Sequence, residues 1–297
     1  QISRKPTGGP TPGKYKDYYE KIKTYVAIVC SPAQAIDPKV TAITYPVVVP
    51  DEGESVFNYV DTAATKAGIV VANGKLEGEK IAIVGVGGTG SYVLDHVAKT
   101  PVDEIHLFDR DVFLNHNAFR CPGAPSLDDL SSKHQKVDYL ATIYSRMRRK
   151  IFPHDCFVDD ATVEKLKEMS FVFLCIDRGT GKRLIVERLE EWGISFIDVG
   201  MGVQLGENNT LGGIVTVTTS TSTKRNHLRD RTAFSDGEGA NEYSQNVQIS
   251  ELSSLNAALA VIKWKKLCGY YDDVTKEHWC AYTIRTNQLT SEDGHET

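Results

Sequence analysis

Residues 80–91 join an apolar strand pattern to a glycine-rich turn and the start of an amphipathic helix. The turn contains four glycines: Gly85, Gly87, Gly88 and Gly90. Gly85 permits a tight turn, Gly87 keeps a Cβ away from an approaching phosphate, and Gly90 lets the helix lie close to the strand. The positive N-terminus of the helix would then attract the phosphate. The pattern predicts a nucleotide-binding unit, although glycine-rich turns also occur for structural reasons alone.

A carboxylate follows the next strand pattern. Residues 104–108 have the pattern of a strand, and Asp109 comes directly after them, about 20 residues beyond Gly90. A carboxylate at this place can bind ribose hydroxyls. The arrangement fits an NAD-type site and an ATP site equally well. The choice between them depends on polar residues further along the chain: Asp111, Asn117, Arg120, Lys136 and Asp177.

Strand and helix patterns alternate from residue 79 onward. We expect strands near 80–84, 104–108, 154–158, 170–176 and 195–199, and helices near 89–99, 132–149, 160–167 and 180–192. This alternation predicts an α/β fold with a mostly parallel sheet covered on both faces. Ligands of such sheets bind beyond the carboxyl ends of the strands, where Gly85, Asp109 and Asp177 all fall. The three positions therefore predict one shared crevice.

Further patterns lie beyond residue 201. Residues 212–219 predict a β-branched strand, 220–246 a long polar loop, and 279–284 an alternating strand. Residues 247–268 predict a helix with apolar positions at 249, 252, 255, 259 and 262. We interpret this apolar stripe as core.

The first 78 residues carry no motif that indicates chemistry. We expect a helix over 15–35, an extended segment over 40–49 that Pro46 restricts to a sheet edge, and a helix from Ser55. The chain would thus consist of an N-terminal α+β extension, 1–78, and an α/β domain, 79–297. Because residue 1 is glutamine rather than methionine, we expect the natural chain to begin earlier, with room for a further domain.

Residues 79 to about 290 resemble the ThiF/MoeB/ubiquitin-activating (HesA/MoeB/ThiF) family of adenylating enzymes. The run Asp109-Arg110-Asp111, then Asn117 and Arg120, follows the family's spacing, and Asp177 ends its strand as the family's aspartate does. The N-terminal extension is similar to an uncharacterised domain that precedes the adenylating module in some bacterial ThiF-like proteins.

The resemblance implies a Rossmann-like, doubly wound sheet of the ubiquitin-activating type, with ATP and Mg²⁺ as ligands. Asp177 would hold Mg²⁺, directly or through water. Arg120 and Lys136 would meet the negative charge that builds on the phosphates, and Asn117 would donate a hydrogen bond. Asp109 would fix the ribose.

Asp111 and Lys133 are also expected at the nucleotide. Lys133 competes with Lys136 for the catalytic place, and the spacing favours Lys136 because the family's lysine directly precedes a small apolar residue, here Val137. Taken singly, each of these charged residues could instead be a solvated surface group. The combined spacing of these residues favours a role in the nucleotide site.

The sequence departs from the family pattern in several places. Cys121 stands where the family has glutamine, and Arg178 replaces the asparagine that usually follows the magnesium aspartate. An N-terminal arginine that could reach the γ-phosphate is not evident, and a second subunit could supply it.

The resemblance also implies a substrate. We expect adenylation of the C-terminal carboxylate of a ubiquitin-like or sulfur-carrier protein that ends in glycine, with release of pyrophosphate, in a bacterial ubiquitin-like conjugation pathway. The family further implies a homodimer, a conjugating-enzyme partner, and a crossover loop, here 220–246, over the substrate's tail. Members of the family that form a thioester usually place its cysteine in the stretch 176–267, and no cysteine lies there, so the resemblance implies that this chain alone stops at the adenylate. Cys268 and Cys280 are expected to be structural.

Other functions fit parts of the pattern. A nicotinamide oxidoreductase would explain the glycines and Asp109, but hydride transfer gives the remaining polar residues no joint task. The chain could also be a non-catalytic scaffold subunit of an activating complex. A third alternative is an enzyme that adenylates a small carboxylate or a modified tRNA base.

Composition bears on several further classes of protein. With 297 residues and 41% hydrophobic content, the chain can bury a substantial core. A net charge of −5 argues against nucleic-acid binding. The sequence has neither a signal-peptide pattern nor the run of about 18 apolar residues that a membrane span needs, so we expect a cytoplasmic protein. The cysteines form no Cys-x-x-Cys pair, so we expect no zinc site.

Overall fold

A computed structural model describes residues 5, 13–51, 53, 55–176, 180–206, 208–232, 247–292 and 294. The chain divides into two compact units, Gln1–Val48 and Val49–Thr297. The domain boundary expected after residue 78 stays a prediction. In the described ranges, no helix is long and apolar enough to cross a bilayer.

The described part of the first unit consists mainly of one helix, α1 (Tyr18–Ile36). Its N-cap is Asp17, whose carboxylate accepts a hydrogen bond of 2.8 Å from the Glu20 amide. None of the residues of α1 is buried. Residues 40–49 form no strand, and Pro46 lacks the amide hydrogen that a ladder needs. Within the described residues the N-terminal extension is therefore helical rather than α+β.

The second unit contains both helices and strands. The helices are α2 (Thr62–Ala67), α3 (Val70–Gly74), α4 (Gly88–Ala98), α5 (Asn115–Ala118), α6 (Leu127–Ser131), α7 (Lys136–Tyr144), α8 (Thr180–Glu191), α9 (Leu228–Arg231) and α10 (Ser250–Leu267). Short 3₁₀ turns lie at Val163–Leu166 and Ile284–Thr286. The strands are β1 (Lys80–Val84), β2 (Glu104–Phe108), β3 (Ile151–His154), β4 (Phe171–Leu174), β5 (Ser195–Leu205), β6 (Leu211–Ser220), β7 (Trp279–Thr283) and β8 (Gln288–Glu292).

The strands of the described residues form one sheet in the order β3-β2-β1-β4-β5-β6-β7-β8. The pairs from β3 to β5 are parallel and those from β5 to β8 are antiparallel. Helices α4, α7 and α10 cover one face, and α8 with the turn Val163–Leu166 covers the other. The prediction of a mostly parallel, doubly wound α/β sheet is confirmed.

The central strand β1 shows why this part of the sequence is continuously apolar. Ile81 and Ile83 pack into the core under α4, α7 and α10, whereas Ala82 and Val84 pack into the core under α8. A strand that is buried on both faces has no polar side in its sequence. This burial places the carboxyl end of β1, and the glycines after it, at the middle of the sheet.

Helix α10 differs from the sequence prediction in its buried face. Its buried residues are Leu252, Ser253, Asn256, Ala257, Ala260, Val261, Lys263 and Trp264. Ile262 is 43% exposed, and of the expected apolar stripe only Leu252 is buried. The small side chains of Ala257 and Ala260 let α10 lie close against α4, and Trp264 fills the core below them. The stripe nevertheless packs against the core: Leu252 is a core residue, and Ile249, Leu255 and Leu259 are partly buried against it, so the interpretation fails only at Ile262.

Several element boundaries also differ. The helix expected from Ser55 begins only at Thr62, where the Asp61 carboxylate caps it by accepting a hydrogen bond from the Ala64 amide. Before that point Phe57 forms a β-bridge with Arg148. The expected helix over 132–149 is shorter in the structure: α7 ends at Tyr144, so Arg148 lies beyond it.

Two strands could not be placed well from their patterns. β3 (Ile151–His154) begins three residues before the expected strand at 154–158. β8 (Gln288–Glu292) was not expected because its sequence is polar, and it pairs with β7 at the end of the sheet opposite β3.

Candidate active site

The turn after β1 has the geometry that its glycines predict. Gly85 has a φ of +86°, and its amide donates a hydrogen bond of 2.8 Å to the carbonyl of Phe108. A Cβ on Gly90 would lie 1.9 Å from the Gly85 carbonyl oxygen, so only glycine fits there. A Cβ on Gly87 would meet nothing within 4 Å. The space beside Gly87, at the N-terminus of α4, is therefore open to a ligand.

Asp109 ties this turn to the end of β2. Its Oδ2 accepts a hydrogen bond of 2.9 Å from the Val86 amide, and its Oδ1 accepts one of 2.8 Å from the Asp111 amide. Each carboxylate oxygen keeps a second acceptor position, so the group can still bind a hydroxyl. Asp109 lines the cleft above the glycine turn.

Lys136 begins α7 and is buried, with its ammonium group facing the two carboxylates. Its Nζ lies 2.6 Å from Asp111 Oδ2 and 3.9 Å from Asp109 Oδ1. Its amide also donates a hydrogen bond of 2.9 Å to the Asp111 carbonyl. Backbone and side chain together place this cation in the cleft.

Asn117 and Arg120 lie on and just after the short helix α5. The side-chain oxygen of Asn117 accepts a hydrogen bond of 2.9 Å from the Leu114 amide, and its carbonyl accepts one of 2.9 Å from the Arg120 amide. The Arg120 guanidinium donates through Nη1 to Oε1 of Gln248, which precedes α10. Asn117 thus positions the turn that carries Arg120.

These groups line one cleft of about 290 Å³ at the carboxyl ends of the strands. The lining residues are Gly85, Gly87, Gly88, Thr89, Asp109, Asp111, His116, Arg120, Lys136, Cys175, Ile176, Val199, Gly200, Met201, Gln248 and Asn256. The expectation of one shared crevice agrees with this arrangement for the residues that the structure describes.

Buried polar atoms without a partner surround the cleft. Among the described residues they include Arg120 Nε and Asn256 Oδ1 in its lining, and Asn117 Nδ2 and Ser253 Oγ close to it. Ser253 Oγ would lie 2.7 Å from a Cβ on Gly88. Buried polar groups are seldom left without hydrogen bonds, so the cleft is suited to a polar ligand.

Two predicted ligand residues lie elsewhere. Lys133 is exposed, has a φ of +48° and does not line the cleft, so of the two competing lysines only Lys136 is placed there. Asp177 and Arg178 lie outside the described residues, and the magnesium site therefore stays a prediction. Cys175 and Ile176, which immediately precede Asp177, line the cleft. Within the described ranges, no cluster of three or more His, Cys, Asp or Glu side chains could hold a metal ion.

Sequence reasoning missed four polar residues of the cleft: Thr89, His116, Gln248 and Asn256. His116 adjoins Asn117 on α5, and desolvation together with the positive charges of Arg120 and Lys136 lowers its pKa below the ordinary value. Asn256 could have been found as a polar residue among the small residues on the buried face of α10. The expected loop at 220–246 contains α9, and residues 233–246 lie outside the described residues.

The cysteines near the cleft and in the C-terminal part are buried or half-buried. Burial raises the pKa of the Cys121 thiol, that of Cys268 to about 12 and that of Cys280 to about 11. Thiols with such pKa values are protonated at neutral pH and are poor nucleophiles. These values favour structural roles for Cys268 and Cys280.

A model of the ThiF family matches residues 64–263. The chain belongs to the ThiF family. A model of a domain of unknown function (DUF6791) matches residues 1–62, so the predicted pairing of an uncharacterised N-terminal domain with a ThiF-like module is confirmed. No curated protein matches the chain significantly.

Solved structures of two proteins share the fold of this ThiF-family protein. PaaA is 15% identical with a TM-score of 0.63, over 96% of this chain and 88% of PaaA. MccB of E. coli with ATP is 18% identical with a TM-score of 0.60, over 76% of this chain and 66% of MccB. MccB has also been solved with AMPCPP and MccA, at 18% identity, a TM-score of 0.57 and the same coverage. At these identities the likeness establishes the fold alone.

Proposed function

We propose that this ThiF-family protein adenylates the C-terminal carboxylate of a ubiquitin-like or sulfur-carrier protein that ends in glycine, in a bacterial ubiquitin-like conjugation pathway. Membership of the ThiF family, and a fold shared with a protein solved with ATP, support adenylation-type chemistry. The observation that carries the proposal is the cleft in which Lys136 and Arg120 face the open space beside Gly87.

In the proposed reaction, an oxygen of the substrate carboxylate attacks the α-phosphorus of ATP. The bond between the α-phosphorus and the bridging oxygen of the β-phosphate breaks, and pyrophosphate leaves with that electron pair. The product is an acyl adenylate. Such a reaction depends on positioning and on neutralising the charge of the phosphates.

The cleft supplies both requirements. The amides at the start of α4 and the open space at Gly87 would receive phosphate oxygens. Lys136 and Arg120 would stabilise the charge that develops during the displacement. Asp109, at the end of β2, would hold the ribose.

Other predicted residues have supporting roles in the proposal. Asn117 positions Arg120 and keeps a free Nδ2 donor. Asp111 would help to orient Lys136, with which it already pairs. Asp177 is the proposed Mg²⁺ ligand, and the ion would neutralise phosphate charge when bound.

The substrate class is the less constrained part of the proposal. MccB has been solved with MccA. A peptide or protein substrate for this chain is proposed from that case, and a ubiquitin-like carrier from the family pattern of the sequence. A homodimer and a conjugating-enzyme partner belong to the same proposal.

The test is ATP–pyrophosphate exchange with Mg²⁺, ATP, labelled pyrophosphate and a panel of carriers ending in Gly-Gly. We expect label to enter ATP only with a suitable carrier. Exchange should fall at least ~100-fold in Asp177→Ala and stay unchanged in Asp272→Ala, which alters an exposed aspartate. Binding of ATP without exchange for any carrier would contradict the proposed substrate class.

A further inference from the structure

Asn256 is a fully buried polar residue in the wall of the cleft. Its Nδ2 donates a hydrogen bond of 2.9 Å to the carbonyl oxygen of Gly200 on β5. Its Oδ1 has no hydrogen-bond partner among the described residues. The amide nitrogen is therefore paired within the protein, whereas the amide oxygen has no partner among the described residues.

The contact with Gly200 also determines that the unpaired atom is the amide oxygen. A carbonyl oxygen can only accept, so the amide nitrogen of Asn256 must face it, and the alternative amide orientation would place two acceptors together. The remaining atom is an acceptor with no access to bulk water. An unmade hydrogen bond at such a buried atom is costly, which favours a ligand that brings a donor to it.

The order of the strands indicates which part of a bound ligand would lie beside Asn256. Asp109 follows β2, on one side of β1 and its glycine turn, whereas Gly200 lies on β5, beyond β4 on the other side. A nucleoside held at Asp109 with its phosphates at the glycine turn leaves the β5 side of the cleft to the acyl substrate. In that arrangement Asn256 would face the acyl substrate rather than the nucleoside.

Given the proposed function, we infer that Asn256 Oδ1 accepts a hydrogen bond from the backbone N–H of the substrate's C-terminal residue. That N–H is two bonds from the carboxyl carbon that reacts, so holding it also orients the carboxylate toward the α-phosphorus. A simple carboxylic acid has no donor at this place. Asn256 is thus a specificity-determining residue that selects a peptidic C-terminus.

The test uses two stable mimics of the acyl adenylate. The first is 5′-O-(N-glycylglycylsulfamoyl)adenosine. The second is its depsipeptide analogue, in which an ester oxygen replaces the N–H of the terminal glycine. Their dissociation constants are measured by calorimetry for the wild type and for Asn256→Leu, with adenosine 5′-sulfamate as a control ligand that has no acyl group.

We expect the wild type to bind the amide probe at least ~10-fold more tightly than the ester probe, the usual loss when a buried acceptor loses its donor. In Asn256→Leu the two probes should bind alike, and adenosine 5′-sulfamate should bind both proteins equally. Equal binding of the two probes by the wild type overturns the inference. So does a preference that survives in Asn256→Leu.

If Asn256→Leu does not fold, Asn256→Ala takes its place, and equal binding of the two probes by the wild type still overturns the inference. A wild type that binds ATP but neither acyl probe overturns the inference and leaves adenylation of another kind of carboxylate open. A wild type that fails to bind ATP overturns the proposed function itself, and that result is distinct from the other two.

Discussion

The ammonium group of Lys136 lies 2.6 Å from Oδ2 of Asp111, at the rim of the cleft. The side chain of Asp111 is 59% exposed, whereas that of Lys136 is only 9% exposed. The Asp111 carboxylate faces water, so it stays solvated when its partner turns to another anion. A bound triphosphate could therefore draw the lysine away from Asp111 at small cost.

The first prediction concerns the two competing lysines. Lys136→Met should lower ATP–pyrophosphate exchange by at least ~100-fold because it removes a cation from the reacting phosphates. Lys133→Met should keep most of the exchange because Lys133 is exposed and does not line the cleft. Equal losses in the two variants would contradict the placement of Lys136 as the catalytic cation.

The second prediction concerns the support of Arg120 by Gln248. Arg120→Gln should lose at least ~100-fold of the exchange, whereas Gln248→Leu should lose about tenfold, because the guanidinium keeps its charge but loses an anchor. Gln248→Glu keeps an acceptor but adds a negative charge beside the phosphates, so its loss should exceed that of Gln248→Leu. Steady-state exchange rates measure all three. Full activity of Gln248→Leu would show that Arg120 needs no support from Gln248.

The third prediction separates folding from phosphate binding at the glycine turn. Gly90→Ala should destabilise the protein by several kcal/mol, about 3 or more, because its Cβ would lie 1.9 Å from the Gly85 carbonyl oxygen. Gly87→Ala should melt at nearly the wild-type temperature, because its Cβ meets no protein atom within 4 Å, yet bind ATP at least ~10-fold more weakly.

Thermal melting and ATP titration measure these two effects independently. Gly74→Ala, at an exposed site with open space, is the control and should change neither. Wild-type ATP affinity in Gly87→Ala would show that phosphates do not approach this turn.

The fourth prediction concerns acid stability. Burial, followed by the charge of Lys263, lowers the pKa of His278 to about 4. An unfolded histidine titrates near 6.5, so between about pH 4 and 6.5 the unfolded state binds more protons than the folded state. The free energy of unfolding should therefore fall as the pH falls from about 6.5 toward 4, by up to about 3 kcal/mol from this one group.

His278→Gln should remove this part of the acid sensitivity. Urea unfolding at pH 7 and pH 5 measures it: the wild type should lose more stability between the two pH values than the variant does. An identical loss in both proteins would contradict neutral burial of His278. A substitution of the exposed residue His116 is not a suitable control for His278→Gln, because His116 lines the cleft.

The part of the fold that could be predicted depends on strong, local patterns. β1 and α4 follow from an apolar run and glycines whose backbone needs are specific, as the φ of Gly85 and the close approach at Gly90 show. Asp109 could be placed because the carboxyl ends of parallel strands meet at one edge of the sheet, whereas Lys136, at the start of α7, was expected only from the family resemblance. The sequence spacing also favoured Lys136 over Lys133, as the geometry does.

The contribution of α10 could not be predicted in the same way. Ile262, one of the most apolar residues of this helix, is 43% exposed, whereas the polar residue Asn256 is fully buried. Close contact with α4 selects alanine and serine, and the cleft selects Asn256, so a hydrophobic pattern does not find these deeply buried small and polar residues. β8 could not be predicted for a related reason. Its sequence is polar, and the strand is held by pairing with β7 rather than by burial of its side chains.

The most direct test of the central claim is to detect the acyl adenylate itself. The protein would be incubated with Mg²⁺, ATP and a Gly-Gly carrier that supports exchange, quenched in acid, and the carrier weighed by intact mass spectrometry. We predict a carrier whose mass has increased by one adenylyl group, and the absence of this species with Lys136→Met or with a carrier lacking its last glycine. An unmodified carrier, from a protein that binds both ATP and the carrier, would contradict the claim that this cleft adenylates a C-terminal carboxylate.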